Sequence, residues 1–541
     1  MATDKNKITF KTSISYFDDK NILKDILIFC KNNISLLVFT ALTILITYSI
    51  YMFHPTIGID TEAFSFSKSH YTNYHISIGR WGLAFFSELW TIKFFNPYLI
   101  SILSAVILFF AAISWSYLFS VFNKNRKINK YFLIPFSILF ISSPFWIEQY
   151  YFFLQSVEVF FAVFLCPFII LMLYKSIFSQ NYLFLLVSVL LTTFIIAIYQ
   201  TMLPLFVCGI FICFLFFEEN SNYTSKLYLF TFIKLLIFIL LATLTYFLLN
   251  KLTLSLFHIK ASDYISSMNT WSSDSLTENF NKILNITYCI TIEPVLKFIH
   301  HDYVEINYVT PLIIPLCLTY ILIIIINTFK HISKERRLLY IIVGISIPFF
   351  IISLPVLNAN MPPLRAMYVV VLVTAFMFYY LLLTSKKKVV QYFIFSTMLL
   401  VSIWQIQINS QLQYSDTIRY NEDIRICYEI DKLVKQNTNL KEKEIHLAVF
   451  GRYTTVEHYK HIYMKGEVIG NSCFEYCNWG DDITKPSRGS IAFMRTIGIN
   501  YTLPTSEEFT KAQKYLSTMG VFPSADCIKV IDNLAIIKLS E

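Results

Sequence analysis

The sequence predicts a mainly α, polytopic membrane protein, with about 11 transmembrane helices and a small extracytoplasmic α/β domain at its C-terminal end. Three observations predict it. Of 541 residues, 56% are hydrophobic and only 15% are charged, whereas a soluble domain carries about 25% charged residues. The mean hydropathy is +0.56. Apolar runs of spanning length recur through the first three quarters of the chain, and basic residues gather in alternate loops. Disorder is excluded as well, because 52 Phe and 35 Tyr supply far more apolar surface than an unfolded chain carries.

The runs lie at 34–53, 98–122, 131–145, 151–174, 182–199, 202–217, 227–249, 310–329, 338–355, 366–384 and 389–404. The first is too long and too late for a cleavable signal peptide and reads as a retained anchor. One set of loops holds Lys20, Lys24 and Lys31, then Lys124, Arg126, Lys127 and Lys130, then Lys175, then Lys330, Lys334, Arg336 and Arg337, then Lys386, Lys387 and Lys388. The other set holds mainly Lys68, Arg80, Lys93 and Arg365. The N-terminus is therefore expected in the cytoplasm, and an odd count of spans sets residues 405–541 outside. The loop at 218–226 fits least well, with Lys226 set against Glu218 and Glu219. This divides the chain into a polytopic domain, 1–404, with outer loops at about 54–97 and 250–309, and an extracytoplasmic α/β domain, 405–541. In the latter, Ile418, Ile424, Cys427, Tyr428 and Leu433 recur at helical spacing, and Ile445–Phe450 and Leu534–Leu539 read as strands. The net charge of +9 reflects loop placement and does not imply nucleic acid. Cys30, Cys166, Cys208, Cys213 and Cys317 read as small buried hydrophobes.

The first outer loop concentrates the chemistry. Asp60 and Glu62 stand two residues apart at the outer end of a span, where partial desolvation raises a carboxyl pKa toward that of a general base. Arg80, within Gly79-Arg80-Trp81-Gly82, offers a planar fork for phosphate oxygens. In a chain with 12 Gly, two flanking Arg-Trp point to a close backbone approach. A solvated loop with Trp81 as an interfacial belt residue is the plainer alternative. Further along, Glu148, Tyr151, Gln155 and Glu158 are spaced for one helical stripe. Glu158 inside an apolar run faces either a cavity or a helix-orienting partner. Tyr199 and Gln200 either line the same cavity or mark a helix break before Pro204. Arg365 is an outward cation, against the positive-inside bias, which favours an anionic headgroup over a snorkelling anchor. His300, His301, Asp302 and Glu305 offer metal-ligand side chains, with a hydrated loop the more economical reading. Cys473 and Cys477 are spaced for a disulfide or stand as reduced thiols, and Phe474, Tyr476 and Trp479 either stack on sugar rings or build a small core. No phosphate loop, dinucleotide fingerprint, nucleophile elbow or zincin helix is present in the sequence.

Asp60-Thr61-Glu62, Gly79-Arg80-Trp81-Gly82, Pro362-Pro363-Leu364-Arg365, Arg419-Tyr420-Asn421-Glu422-Asp423, Phe522-Pro523 and Val530-Ile531-Asp532-Asn533 together resemble the polytopic O-antigen glucosyltransferases of the serotype-converting, bacteriophage-type Gtr group. Many members of that family carry adjacent acidic residues where Thr61 stands here, which leaves the leading role open between Asp60 and Glu62. The resemblance implies a GT-C-like architecture and an inverting transfer of a hexose, with glucose expected. The donor would be undecaprenyl-phosphate sugar and the acceptor lipid-linked O-antigen or a related surface glycan, at the outer face of the bacterial cytoplasmic membrane. It also implies a small flippase and a carrier-loading glycosyltransferase as partners. In that scheme Asp60 and Glu62 are catalytic, Arg80 and Arg365 hold the donor phosphate, and Trp81, Glu148, Gln155, Glu158, Tyr199 and Gln200 bind substrate. No cofactor is called for, and a divalent cation at Glu148 and Glu158 stays open. A lipid-sugar flippase or transporter, or a polysaccharide polymerase, is the alternative on topology alone.

Overall fold

The computed structural model describes residues 22–64, 68–90, 96–123, 129–179, 181–219, 225–300, 308–455, 462–476 and 484–541. Lys20, Lys93, Lys124, Arg126, Lys127, His301, Asp302, Glu305, Cys477 and Trp479 lie outside the described residues, as do the side chains of Lys68 and His300.

Each apolar run folds as a helix. A helix rises about 1.5 Å per residue, so crossing the hydrocarbon core takes about 20 residues. Among the described residues seven helices meet that length and composition: Ile34–Phe53, Pro97–Phe122, Phe153–Ser179, Ser225–Leu256, Ile313–His331, Arg337–Asn358 and Lys388–Asn437. The bent pair Lys130–Ser142 and Pro144–Tyr151 makes an eighth. Tyr182–Ile198, Met202–Phe217 and Tyr368–Thr384 are apolar but shorter, so the expected eleven are not reached on length alone. Tyr368–Thr384 is enclosed by other helices, with every residue from Tyr368 to Leu382 buried, which accounts for its being apolar all round. Ser225–Leu256 instead leaves Leu229, Phe230, Ile233, Ile237 and Leu240 exposed, a surface suited to acyl chains.

Three breaks shape the interior. The run at 131–145 bends by 46° at Ser143-Pro144, where proline starts the next helix because its missing N–H costs nothing there. Phe152 leaves the helical region at φ −81°, ψ 72°, ending Pro144–Tyr151 before Phe153–Ser179 begins. The single stripe expected for Glu148, Tyr151, Gln155 and Glu158 is therefore split, and the first two residues turn away from the last two. Tyr199 is extended, at φ −155°, ψ 120°, and separates Tyr182–Ile198 from Met202–Glu219.

The two segments expected as outer loops are themselves helical. The first contains Thr61–Phe64, Lys68–Ser77 and Trp81–Trp90, and the second contains Tyr264–Ser267, Leu276–Thr291 and Glu293–His300. Lys388–Asn437 then runs unbroken for 50 residues. Met398, Val401, Ile408 and Leu412 pack it into the membrane-helix core, and Ile426, Cys427, Ile430 and Val434 pack it into a second core. That second core is completed by a three-stranded sheet in the order β1-β3-β2, formed by β1 (His446–Phe450), β2 (Ile528–Ile531) and β3 (Leu534–Lys538). β1 pairs parallel with β3, and β2 pairs antiparallel with it. β3 is central and buried at every position, and β2 is a strand that the sequence pattern did not reveal.

Arg419 joins these parts. It is fully buried, with its guanidinium bonded to Asp416 Oδ1 at 2.7 and 3.0 Å and to Asp423 Oδ2 at 3.3 Å. It also donates to the Ile57 carbonyl at 2.9 Å and to the Tyr151 hydroxyl oxygen at 3.1 Å. Asp416 in turn accepts from Tyr51, Thr56 and the Gly470 amide, and Asp423 accepts from Ser472 and the Cys473 amide. Replacing Arg419 with Met leaves two buried carboxylates without their cation, a loss of about 3–5 kcal/mol. Thermal unfolding of Arg419→Met in nanodiscs is expected at a clearly lower temperature, and an unchanged transition would refute the keystone role.

Candidate active site

Asp60 owes its position to a tight turn after the helix Ile34–Phe53. The Thr56 side chain bonds to Asp416, and Arg419 holds the Ile57 carbonyl. Gly58 lies where any side chain would strike the Tyr151 hydroxyl. Asp60 then takes a left-handed backbone, φ 70°, and its carbonyl accepts from the Phe64 amide at 3.0 Å as Thr61–Phe64 begins. Asp tolerates this region better than most residues, and the local strain sets the direction of its carboxylate.

That carboxylate interacts with Arg365, Arg80 and Lys485. Burial raises its pKa above the ordinary value, and the three cations pull it back without cancelling the rise. Tyr74 and Tyr264 sense the same charges, so both inter-helix segments contribute to the cluster. Glu62 is buried beneath it, and its Oε1 accepts from the Tyr476 hydroxyl at 2.8 Å. Burial, then the charge of Asp60, push the Glu62 carboxyl up to about 7 against opposition from hydrogen bonds and Arg419.

Arg80 is fixed by the Gly-Arg-Trp-Gly turn. Its Nε donates to Gln200 Oε1 at 3.3 Å, and its guanidinium lies 4.0 Å from the centre of the Tyr199 ring. Gln200 reaches back to the Ile78 carbonyl at 2.8 Å, and Tyr246 donates to the Gly79 carbonyl at 3.0 Å. Gly79 has φ +78° with Tyr246 against it, and a Cβ on Gly82 would come within 2.9 Å of the Ala197 backbone. Both glycines thus permit the close approach expected of them. The helix break at Tyr199-Gln200 is real, and it also supplies the seat of Arg80.

Arg365 sits on the short turn Leu364–Ala366, with Nη1 donating to Glu467 Oε1 at 3.0 Å and its plane 4.4 Å from the centre of the Phe152 ring. Burial alone would lower its pKa, but Tyr199 and Glu467 outweigh that and hold it charged. The second Glu467 oxygen accepts from the Leu364 amide, and the Glu467 amide donates to Glu148 Oε1 at 2.8 Å. Glu148 also accepts from the Tyr308 hydroxyl. Glu148 therefore supports Arg365 from behind through Glu467 and does not share a stripe with Glu158. Glu158 lies instead near Tyr71, whose hydroxyl bonds to the Leu154 carbonyl. Gln155 is buried, and among the described residues its side chain makes no hydrogen bond to the Asp60 cluster. Trp81 packs with Ile196, Ala197 and Tyr246, apart from the carboxylates. Among the described residues no group of three His, Cys, Asp or Glu side chains is arranged to hold a metal ion.

Glu467, Tyr264, Tyr74 and Lys485 are residues around the site that sequence reasoning missed, and Tyr476, read there as a sugar-stacking or core ring, lies in the C-terminal core and bonds Glu62. His75, another missed residue, is buried against Tyr71 at 4.3 Å between ring centres, and burial with the nearby Arg80 holds it neutral. A buried carboxylate within the field of two guanidiniums, each set over an aromatic ring, is an arrangement suited to taking a proton beside an anionic group.

The family model for glucosyl transferase GtrII matches residues 50–385, well over half of the chain and including Asp60, Arg80 and Arg365. The chain belongs to this family. No curated protein and no solved structure matches it. As a GtrII-family member it is a glycosyltransferase, and its long apolar helices fit a membrane protein.

The Glu62 carboxyl makes stability depend on pH. Its folded pKa of about 7 exceeds the ordinary 4.5, so the folded state holds a proton that the unfolded chain releases between these values. That contribution is fully present below 4.5 and is lost as pH rises through about 7. Glu62→Gln removes the dependence. The melting temperature of the variant relative to wild type is therefore expected to increase from pH 5 to pH 8, and parallel profiles would contradict the burial of a protonated Glu62.

Proposed function

We propose that this GtrII-family protein moves a hexose, glucose on the family's pattern, from undecaprenyl-phosphate sugar to lipid-linked O-antigen or a related surface glycan at the outer face of the cytoplasmic membrane. The observation that carries the proposal is Asp60 set among Arg80, Arg365 and Lys485 at the ends of the membrane helices. A lipid-held donor fits a chain without a nucleotide loop. The topology proposed from the basic loops sets the first outer loop, the Pro362–Arg365 loop and residues 405–541 on one side. Contacts among these three, Tyr476 with Glu62 and Glu467 with Arg365, support it.

In the proposed step, Asp60 accepts the proton of an acceptor hydroxyl while that oxygen forms a bond to the anomeric carbon. The bond from that carbon to the phosphate oxygen breaks, and undecaprenyl phosphate leaves with the electron pair. Arg80 and Arg365 meet the charge that grows on the leaving group. Glu62, buried and shared with Tyr476, tunes Asp60, while Tyr199 and Gln200 orient Arg80 and Glu148 supports the seat of Arg365.

Transfer of radiolabel from undecaprenyl-phosphate glucose to a lipid-linked O-antigen acceptor tests the assignment in single-turnover experiments. Asp60→Asn is expected to slow the step about 10²–10⁴-fold, the usual range for loss of a general base. Arg365→Lys removes the planar fork and is expected to slow it about 10²-fold, mainly in kcat. Wild-type rates in Asp60→Asn would sink the assignment.

A further inference from the structure

A second space lies on the other side of the Arg365 loop. It is a cavity of about 1600 Å³, open at one side and bounded by Pro362, Pro363, Leu364 and Glu467 where it adjoins the Asp60 cluster. Ordinary small-molecule sites hold about 300–1,000 Å³, so this one has room for several sugar rings.

Its lining has a definite chemistry. Tyr308, Trp404, Tyr414 and Tyr463 present aromatic rings, and Asn360, Gln407 and Gln411 present amides. The charged lining residues are balanced: Lys297 pairs with Glu293 at 2.8 Å, Lys465 with Glu475 at 2.6 Å, and Glu467 with Arg365 at 3.0 Å. Among the described lining residues each lysine is paired with a carboxylate. Flat apolar faces beside neutral donors and acceptors suit a polyhydroxylated, uncharged ligand. One wall is preformed, because Glu148 bonds both Tyr308 and the Glu467 amide behind it. Trp404, Gln407, Gln411 and Tyr414 lie on one stretch of Lys388–Asn437, between its membrane-helix core and its C-terminal core.

We propose that this cavity binds the neutral oligosaccharide portion of the acceptor, with the Arg365–Glu467 pair as the partition between glycan and donor phosphate. The proposal rests on the transferase reading above. Cys289, an exposed free thiol, lines the cavity and reports on its occupancy directly.

The test is maleimide alkylation of Cys289 in the full-length protein in nanodiscs, read by peptide mass spectrometry. The probe is the pool of neutral oligosaccharides released from the producing strain's surface glycan, and undecaprenyl phosphate lacking sugar serves as the lipid arm. Alkylation should slow about tenfold at about ten times the oligosaccharide Kd, because only unliganded protein reacts. The lipid should leave it unchanged. Gln407→Ala and Tyr414→Ala, both at exposed positions, should weaken this protection and raise the acceptor KM while the donor KM holds. Equal protection by the sugar-free lipid would overturn the assignment. So would no protection at oligosaccharide concentrations that support transfer, and in that case the transferase reading would stand. Protection in a protein that transfers nothing would keep the cavity assignment and remove the transferase reading.

Discussion

Everything around the candidate site depends on one buried cation. Arg419 is without solvent contact and is balanced by Asp416 and Asp423 from its own helix. Through them it fastens the start of the first outer loop, the broken helix at Tyr151, and residues 470–473 of the C-terminal part. A buried charge is tolerated when nearly every polar neighbour is directed at it, and such a network is costly to leave half made. The same constraint explains why Gly58 is glycine, since Tyr151 must come against the loop to reach the guanidinium.

Broken helices do the next part of the positioning. Continuous helices would satisfy their own backbone and present only side chains to one another. The interruptions at Phe152 and Tyr199 bring a ring from each break under a guanidinium, Phe152 beneath Arg365 and Tyr199 beneath Arg80. A cation set over a ring and bonded at one edge, Arg365 to Glu467 and Arg80 to Gln200, is restricted in orientation. Asp60 faces both cations from a left-handed backbone position, so strain, stacking and charge act on the same few side chains.

Asp60, Glu62, Arg80 and Arg365 stood out in the sequence because charge is scarce in this chain, and arginines in loops expected outside run against the usual bias of membrane loops. Their supports did not. Glu467 lies 102 residues from Arg365, and Tyr476 lies 414 residues from Glu62, with no local pattern to link them. The spacing of Glu148 and Glu158 was misleading for a related reason. Helical periodicity assumes an intact helix, and Phe152 ends it between them. Trp81 reads in the sequence as part of the site, yet it packs against Ala197 and Tyr246 because Gly82 brings its helix onto Tyr182–Ile198.

By itself the sequence determined the helical, membrane-embedded class and the candidate acid and arginines, because hydropathy and charge placement are local properties that each segment carries alone. Tertiary structure decided which acids are buried near the arginines, what holds each arginine, and where a large cavity opens beside them. Those outcomes depend on breaks, burial and long-range pairing, which exist only when distant segments share one interior.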